Sequence, residues 1–277
     1  STLYVNLEDQ SAAVAYRIDQ ATGRIARLNS LASSGRSSAY LTVDRNARYA
    51  VQANYDGGQV NVLALETTGA LARVANTVSF GADAFPHAVR IDPTNRFAFV
   101  MNRWHPAKPG NHIAQLRFDA TTGTLTPNDP PRVDFPQGVG PRHLDFHPNG
   151  RFVYVTNESN TTVSTLKLDP DKGTLTAVQQ VSTAPPDISA DAPTDLHVHP
   201  SGKFLYVNNR GAGSLAILSI DVTTGTLTRA GFRSVPGPAR NFVMDPQGAF
   251  LAVANLGRSE VQLFSIDSTT GGLAPLG

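Results

Sequence analysis

GPRHLDFHPNGRFVYVTNE, residues 140–158, predicts a β-hairpin. The runs LDF and FVYV alternate as strands do, and HPNG between them is a tight turn. Because a hairpin returns the chain to its starting point, Arg142 and Glu158 are expected side by side at one end. The rest of the chain explains this pairing of arginine with glutamate, because the hairpin recurs several times.

The same hairpin returns at a period of about fifty residues. Its second strand appears as RYAVQAN, RFAFVMN, RFVYVTN, KFLYVNN and AFLAVAN, with starts 48, 55, 52 and 46 residues apart. Turns that end in glycine, such as ETTG and DVTTG, keep step with it. Each copy predicts four short antiparallel strands, a to d, which is typical of a β-propeller blade. We therefore predict an all-β propeller, a single domain over residues 1–277, with six repeats and almost no helix.

The two ends of the chain break the pattern. The first repeat has strands b, c and d but lacks strand a, and the C-terminus stops after strand d of the sixth repeat. No segment supplies the strand that usually closes a propeller. Two interpretations stay open, a six-unit ring with one three-stranded blade or a part of a longer chain.

Composition narrows the class of partner. The 277 residues carry a net charge of +1, without a basic run, which argues against nucleic acid and membrane surfaces as partners. No apolar stretch approaches the roughly 20 residues that span a bilayer. There is no cysteine, and no carboxylate cluster suggests a metal, so no cofactor is expected. The N-terminus shows no targeting peptide, which predicts a cytoplasmic protein, although a processed N-terminus fits a chain that starts at serine.

Strand direction predicts where the charged residues meet. Strand a runs toward the tight turn and strand b runs back, so the start of a and the end of b share one face. The starts of strand a are Ala39, His87, Arg142, Thr194 and Arg240, and the residues that end strand b are Glu8, Tyr55, Arg103, Glu158, Arg210 and Leu256. Since strand a is innermost in a propeller, both sets are expected at one channel mouth.

Two interpretations of this charged set compete. In one, the charges pair with one another and line a wet channel. In the other, the surplus of arginine forms an anion pocket, because guanidinium matches carboxylate or phosphate with two hydrogen bonds. A histidine and a glutamate beside the arginines can then move protons. The combination favours the anion pocket.

Three further features are less informative. His147 and His199 stand where sister copies have aspartate, so they are interpreted as turn residues rather than metal ligands. His143 and His197 alternate along strand a and are expected to pack between blades. The insert RWHPAKPGNH, residues 103–112, replaces a short b–c loop and fits either a lid or a variable loop.

The strings ANYDGGQV, GPRHLDFHPNGRFVYVTNE and PARNFVMDPQGAFLAVAN resemble the seven-bladed propeller lactonase family. This family includes propeller-type 6-phosphogluconolactonase and fungal carboxy-muconate lactonising enzyme. The resemblance covers essentially the whole chain, but about one N-terminal blade of the family pattern is missing. The resemblance implies that the catalytic residues are His87, Arg142, Glu158 and Arg210. Strand direction places three further residues at the same channel mouth, where they are expected to form the wall of the cavity and bind substrate: Arg103, Arg240 and Tyr55.

Three functions follow as hypotheses, and the first two have a small anionic substrate as the partner. The first is hydrolysis of a sugar lactone, in which Glu158 or His87 activates water while arginines bind the acid group and the oxyanion. The second is a muconate-type cycloisomerase, which closes an unsaturated diacid to a lactone. The third is a propeller that binds a partner without catalysis. The sequence leaves the choice between hydrolysis and ring closure open.

Overall fold

The computed structural model describes residues 1–103, 110–186, 188 and 192–276. In these residues, 23 strands form six antiparallel sheets. The described part of the chain has no helix other than the 3₁₀ turn Glu8–Gln10. The prediction of an all-β chain with almost no helix is confirmed.

The first three sheets lie in residues 1–136, which form one compact unit. The first sheet has the order β1-β2-β3 and the next two have four strands each, so the predicted lack of strand a in the first repeat is confirmed. The bounds are β1 Thr2–Leu7, β2 Ala12–Ile18, β3 Ile25–Ala32, β4 Ser38–Val43, β5 Tyr49–Asn54, β6 Gln59–Leu65, β7 Leu71–Ser79, β8 Pro86–Ile91, β9 Phe97–Asn102, β10 His112–Asp119 and β11 Thr124–Asp134.

The other three sheets lie in residues 137–277, the second compact unit. Each has four strands in sequence order. The bounds are β12 Pro141–Phe146, β13 Phe152–Asn157, β14 Thr162–Asp169, β15 Thr174–Ser182, β16 Pro193–Val198, β17 Phe204–Asn209, β18 Ser214–Ile220, β19 Leu227–Ser234, β20 Ala239–Met244, β21 Phe250–Asn255, β22 Glu260–Ile266 and β23 Leu273–Pro275. That all six sheets form a single domain stays a prediction.

Within each unit the sheets follow one another as the blades of a propeller do. The a strands are neighbours, since β4 contacts β8 in the first unit, and β16 contacts both β12 and β20 in the second. Strand b is buried at all six positions in β5, β9, β13 and β17. Strands covered on both faces are continuous apolar runs, which explains why these segments gave the clearest repeat.

The tight turn between strands a and b joins neighbouring sheets through two kinds of hydrogen bond. Where the turn begins with Asp44, its Oδ2 accepts a hydrogen bond from Nδ2 of Asn95 in the next sheet, at 2.9 Å. Where it begins with His147, Nδ1 accepts from the Asn149 amide, so Nε2 donates to the carbonyl of Gly202 at 2.9 Å.

His199 repeats this arrangement, with Nε2 donating to the Gly248 carbonyl at 2.9 Å. Nδ1 of His199 accepts a hydrogen bond from the backbone N–H of Ser201, just as Nδ1 of His147 accepts one from the backbone N–H of Asn149. The prediction that these two histidines are turn residues is confirmed. Among the described residues, no group of carboxylates, histidines or cysteines could hold a metal ion.

Candidate active site

A β-bulge at the start of every strand a positions the candidate residues. In β8, Pro86 pairs with Asn102 and Ala88 with Met101, so His87 is the extra residue. The same irregularity occurs at the start of β4, β12, β16 and β20. A bulge bends the strand and turns the side chain of its extra residue to a new direction. The residues at these bulges are those predicted as the starts of strand a: Ala39, His87, Arg142, Thr194 and Arg240.

In the second unit, Glu158 lies between two arginines. Nε of Arg142 is 3.2 Å from Oε2 of Glu158, as an ion pair without the alignment of a hydrogen bond. Nη2 of Arg210 donates to the other carboxylate oxygen, Oε1, at 3.1 Å. Arg142 and Glu158 are buried, whereas the Arg210 side chain is 35% exposed. The proximity of Arg142 and Glu158, predicted from the hairpin, is therefore observed.

The guanidinium of Arg142 is strongly desolvated. Burial lowers its pKa from 12.5 to about 10, although Glu158 and Asp195 oppose the shift. The positive charges of Arg240 and Arg210 lower the pKa further, which places Arg240 within electrostatic reach of Arg142. Arg142 is therefore still charged at neutral pH, in surroundings where another negative charge would stabilise it.

The hydrogen bonds of Arg142 leave one edge of its guanidinium available. Nη1 donates to the carbonyl of Thr194 and lies 3.3 Å from Nε2 of His143. Nε faces Glu158. Within the part of the chain that the structure describes, Nη2 makes no hydrogen bond, so its two N–H groups are the unused donors of this buried side chain.

His143 connects Arg142 to a buried carboxylate. Its Nδ1 lies 2.9 Å from Oδ1 of Asp195, and both side chains are buried. Burial and the neighbouring guanidinium lower the pKa of His143, against the influence of Asp195. Burial by itself would raise the pKa of Asp195, but hydrogen bonds from His143 and His197 outweigh it and lower the pKa. His143 is therefore a neutral imidazole that donates from Nδ1 to an ionised Asp195.

Sequence reasoning missed Asp195, and it assigned His143 to packing only. The position directly after the start of strand a can be compared between repeats, where it is occupied by Tyr40, Ala88, His143, Asp195 and Asn241. The last three are polar in consecutive repeats, which is the signal that could have found the network. His197 was also interpreted as packing. Its ring does pack edge-on against Phe242, and its Nε2 lies 3.4 Å from Oδ2 of Asp195.

The first unit contains the remaining candidates. The ring of His87 is edge-on to Tyr55, with centroids 5.7 Å apart, and His87 is buried. Nη1 of Arg103 donates to the Tyr55 hydroxyl at 3.0 Å. The structure thus brings together His87, Tyr55 and Arg103 in one unit, and Arg142, Glu158, Arg210 and Arg240 in the other. That both sets line one cavity stays a prediction, as do their catalytic and binding roles.

The insert at residues 103–112 can be assessed only at its ends. Arg103 and the segment from Gly110 onward belong to the part of the chain that the structure describes, whereas residues 104–109 lie outside it. Nε2 of His112 is 3.0 Å from the side-chain nitrogen of Asn102, which joins the start of β10 to the end of β9. The interpretation of the insert as a lid or a variable loop lies outside the described residues.

Comparison with known proteins identifies the family. The model of a family described as "Lactonase, 7-bladed beta-propeller" matches residues 1–277. The chain belongs to the seven-bladed β-propeller lactonase family. The predicted propeller fold and the predicted resemblance are confirmed. This membership also supports an enzyme of the lactone hydrolase class.

Individual relatives of this propeller lactonase agree. It is 31% identical over 244 residues to a 6-phosphogluconolactonase of Pectobacterium carotovorum, covering 88% of this chain and 70% of the relative. It is similar to the periplasmic gluconolactonase of Pseudomonas aeruginosa, with a TM-score of 0.86, 28% identity, and coverage of 96% and 76% of the two chains. A protein from Lactobacillus plantarum gives a TM-score of 0.88 at 27% identity, covering 100% of this chain and 81% of its own.

The comparisons also bear on localisation. No helix in the described residues of this lactonase is long and apolar enough to cross a membrane. The relative from Pseudomonas aeruginosa is named a periplasmic enzyme. The cytoplasmic localisation expected from the N-terminal sequence therefore stays a prediction.

Proposed function

We propose that this propeller lactonase hydrolyses an anionic sugar lactone of the 6-phosphogluconolactone type at the arginine cluster of the second unit. The observation that carries the proposal is the state of Arg142. It is a charged, buried guanidinium with Nη2 available, and Arg210 and Arg240 add positive charge around it. Such a group is suited to bind an oxyanion, because its donors are fixed in place before the substrate arrives.

The proposed reaction adds water across the ring ester. The oxygen of water forms a bond to the carbonyl carbon of the lactone, and a base takes the proton that water loses. Negative charge develops on the carbonyl oxygen, where an arginine N–H donates. The bond from the carbonyl carbon to the ring oxygen then breaks, the ring oxygen takes a proton, and a hydroxy acid is released.

Glu158 and His87 are the two candidates for the base. Each oxygen of Glu158 lies near a guanidinium, 3.2 Å from Arg142 and 3.1 Å from Arg210. This geometry supports a role for Glu158 in orienting the two arginines. His87 is buried beside Tyr55 in the first unit. We therefore propose Glu158 as the group that orients the two arginines, and His87 stays the candidate for the base that the family resemblance implies.

A substrate panel tests the proposal directly. Phosphorylated and unphosphorylated aldonolactones and a muconate are offered to the wild type, Arg142→Lys and His87→Gln. Lysine keeps the charge but loses the planar fork, so Arg142→Lys is expected to lower kcat/KM by about 10²-fold or more. His87→Gln is expected to lower kcat by about 10² to 10⁴-fold. Arg132→Lys is the control, since Arg132 pairs with Asp134 at an exposed position.

Each result of the panel has a defined meaning. Faster turnover of the phosphorylated lactones supports the proposed substrate class, and equal turnover of both kinds contradicts it. Turnover of the muconate alone indicates the cycloisomerase. The absence of both citrate binding and turnover of any substrate indicates the non-catalytic scaffold.

A further inference from the structure

We infer that Asp195 is a positioning residue of the site, which fixes the guanidinium of Arg142 through the imidazole of His143. The inference rests on the proposed function only for the activity assays. The residues come from two neighbouring strands, β12 and β16, of the same unit. Neither Asp195 nor His143 belongs to the set that the strand directions or the family resemblance indicated.

The first step is the tautomer of His143. An ionised Asp195 can only accept hydrogen bonds, so the Nδ1 of His143, 2.9 Å from Oδ1, carries the proton. The neutral ring then has a lone pair on Nε2, and this atom is 3.3 Å from Nη1 of Arg142. His143 therefore accepts from the guanidinium on one side and donates to Asp195 on the other.

The second step is the rigidity of Asp195. Its Oδ1 also accepts from the Leu196 amide at 3.0 Å. Its Oδ2 accepts from the backbone N–H of Phe242 at 3.2 Å, with the side-chain nitrogen of Asn241 at 3.4 Å. Because donors from its own strand and from β20 hold the carboxylate, the orientation of His143 is fixed as well.

The third step is the effect on Arg142. One hydrogen of Nη1 goes to the Thr194 carbonyl and the other faces His143, while Nε faces Glu158. With these three positions occupied, the plane of the guanidinium is set and Nη2 is the edge that faces a ligand. Asp195 also adds a negative charge that stabilises the buried guanidinium. Without it, we expect Arg142 to lose both its orientation and part of its charge compensation.

The β-bulge explains how neighbours in sequence can cooperate. Consecutive residues of a regular strand point to opposite faces, which would separate Arg142 from His143. Pro141 pairs with Asn157 and Leu144 with Val155, so two residues of β12 oppose one residue of β13. The extra residue lets Arg142 and His143 face the same neighbouring strand, where Thr194 and Asp195 receive them.

The experiment combines Asp195→Asn with Arg142→Lys in a double-mutant cycle. Partners that orient metal ligands change activity by about 10 to 100-fold when they are replaced, and we expect a loss in kcat/KM of this size for Asp195→Asn. If Asp195 acts through Arg142, the double variant is no worse than Arg142→Lys alone. Losses that multiply would overturn the inference. Asp221→Asn is the control, since Asp221 is an exposed aspartate of the same unit that accepts from the Thr223 amide.

Conservative replacement of His143 gives a second test for the case that Asp195→Asn does not fold. The amide of His143→Gln can donate to Asp195 and accept from Arg142, so this variant is expected to keep most of the activity. His143→Leu breaks both contacts and is expected to lose about 10 to 100-fold, as Asp195→Asn does. Equal activity of the two variants would contradict a role in positioning.

A readout without turnover separates this inference from the proposed function. Nitrogen-15 NMR of the imidazoles is expected to show His143 neutral with the proton on Nδ1 at pH 7. Citrate is expected to bind the wild type and not Arg142→Lys. Its affinity for Asp195→Asn is expected to be lower than for the wild type by about tenfold or more, even if no lactone is hydrolysed. A proton on Nε2 of His143, or unchanged citrate affinity in Asp195→Asn, would overturn the inference while leaving lactone hydrolysis untouched.

Discussion

Glu158→Gln is expected to destabilise the protein and to make its stability depend on bound anion. The carboxylate lies 3.2 Å from Nε of the buried Arg142, a separation worth about 5 kcal/mol at an effective dielectric of about 20. Breaking a buried ion pair at one partner typically costs about 3 to 5 kcal/mol, because the other charge stays buried. We expect a loss of that size in the free energy of unfolding, although glutamine keeps the shape of the side chain.

Arg210→Gln is the matched comparison. Arg210 contacts the same carboxylate at 3.1 Å, but its side chain is 35% exposed and water screens the pair. Its removal also leaves Glu158 paired with Arg142. We therefore expect a loss of about 1 kcal/mol or less in the free energy of unfolding.

Urea denaturation of the wild type and both variants, with and without citrate, measures these differences. In Glu158→Gln an anion can take the place of the missing carboxylate, so citrate is expected to stabilise this variant more than the wild type. The reasoning is refuted if Glu158→Gln and Arg210→Gln lose equally little stability. It is refuted as well if citrate stabilises the wild type more than Glu158→Gln.

Two further predictions concern stability. Burial lowers the pKa of His112 and His143 below 6.5, so the unfolded chain binds protons that the folded protein excludes. The free energy of unfolding should therefore fall as the pH drops below 6.5, by at most about 1.4 kcal/mol per pH unit for each histidine. Urea titrations from pH 5 to 7.5 should show that the free energy of unfolding depends less steeply on pH in His112→Asn than in the wild type. Gly202 and Gly150 both have a positive φ, of +72° and +70°. A Cβ added at Gly202 would lie 2.8 Å from the His147 ring, whereas a Cβ added at Gly150 would meet nothing within 4 Å. Gly150→Ala should cost about 1 to 2 kcal/mol for the left-handed backbone, and Gly202→Ala clearly more; equal losses in urea would contradict the contact.

The placement of the candidate residues was predictable because it follows from strand direction alone. In a hairpin repeat, a residue that starts strand a and a residue that ends strand b must share an end, so the sequence leads to the contact of Arg142 with Glu158. The five starts of strand a were identified from turn spacing, and they are the residues at which the bulges occur. The further prediction that these residues line one cavity involves both compact units, and neither unit by itself tests it.

The contribution of Asp195 was not predictable in the same way. Strand alternation would place Arg142 and His143 on opposite faces, and only the bulge brings both toward β16. A one-residue irregularity in pairing leaves no direct trace in the sequence, because the residue that becomes extra has no required type. Burial is equally hidden, since nothing in the string PTDLHVHP distinguishes a buried carboxylate from a solvated one.

The hydrogen bonds between neighbouring turns imply that the repeats of this chain are not interchangeable. The Asp44 turn presents an acceptor and therefore requires a donor, Asn95, in the sheet that follows. The His147 turn presents a donor and requires an acceptor, the bare carbonyl of Gly202. A duplicated or transposed repeat would set carboxylate against carbonyl, or imidazole N–H against amide N–H. The Asp44 repeat and the His147 repeat therefore cannot be exchanged without losing this hydrogen bond, whereas the His147 and His199 repeats make the same one.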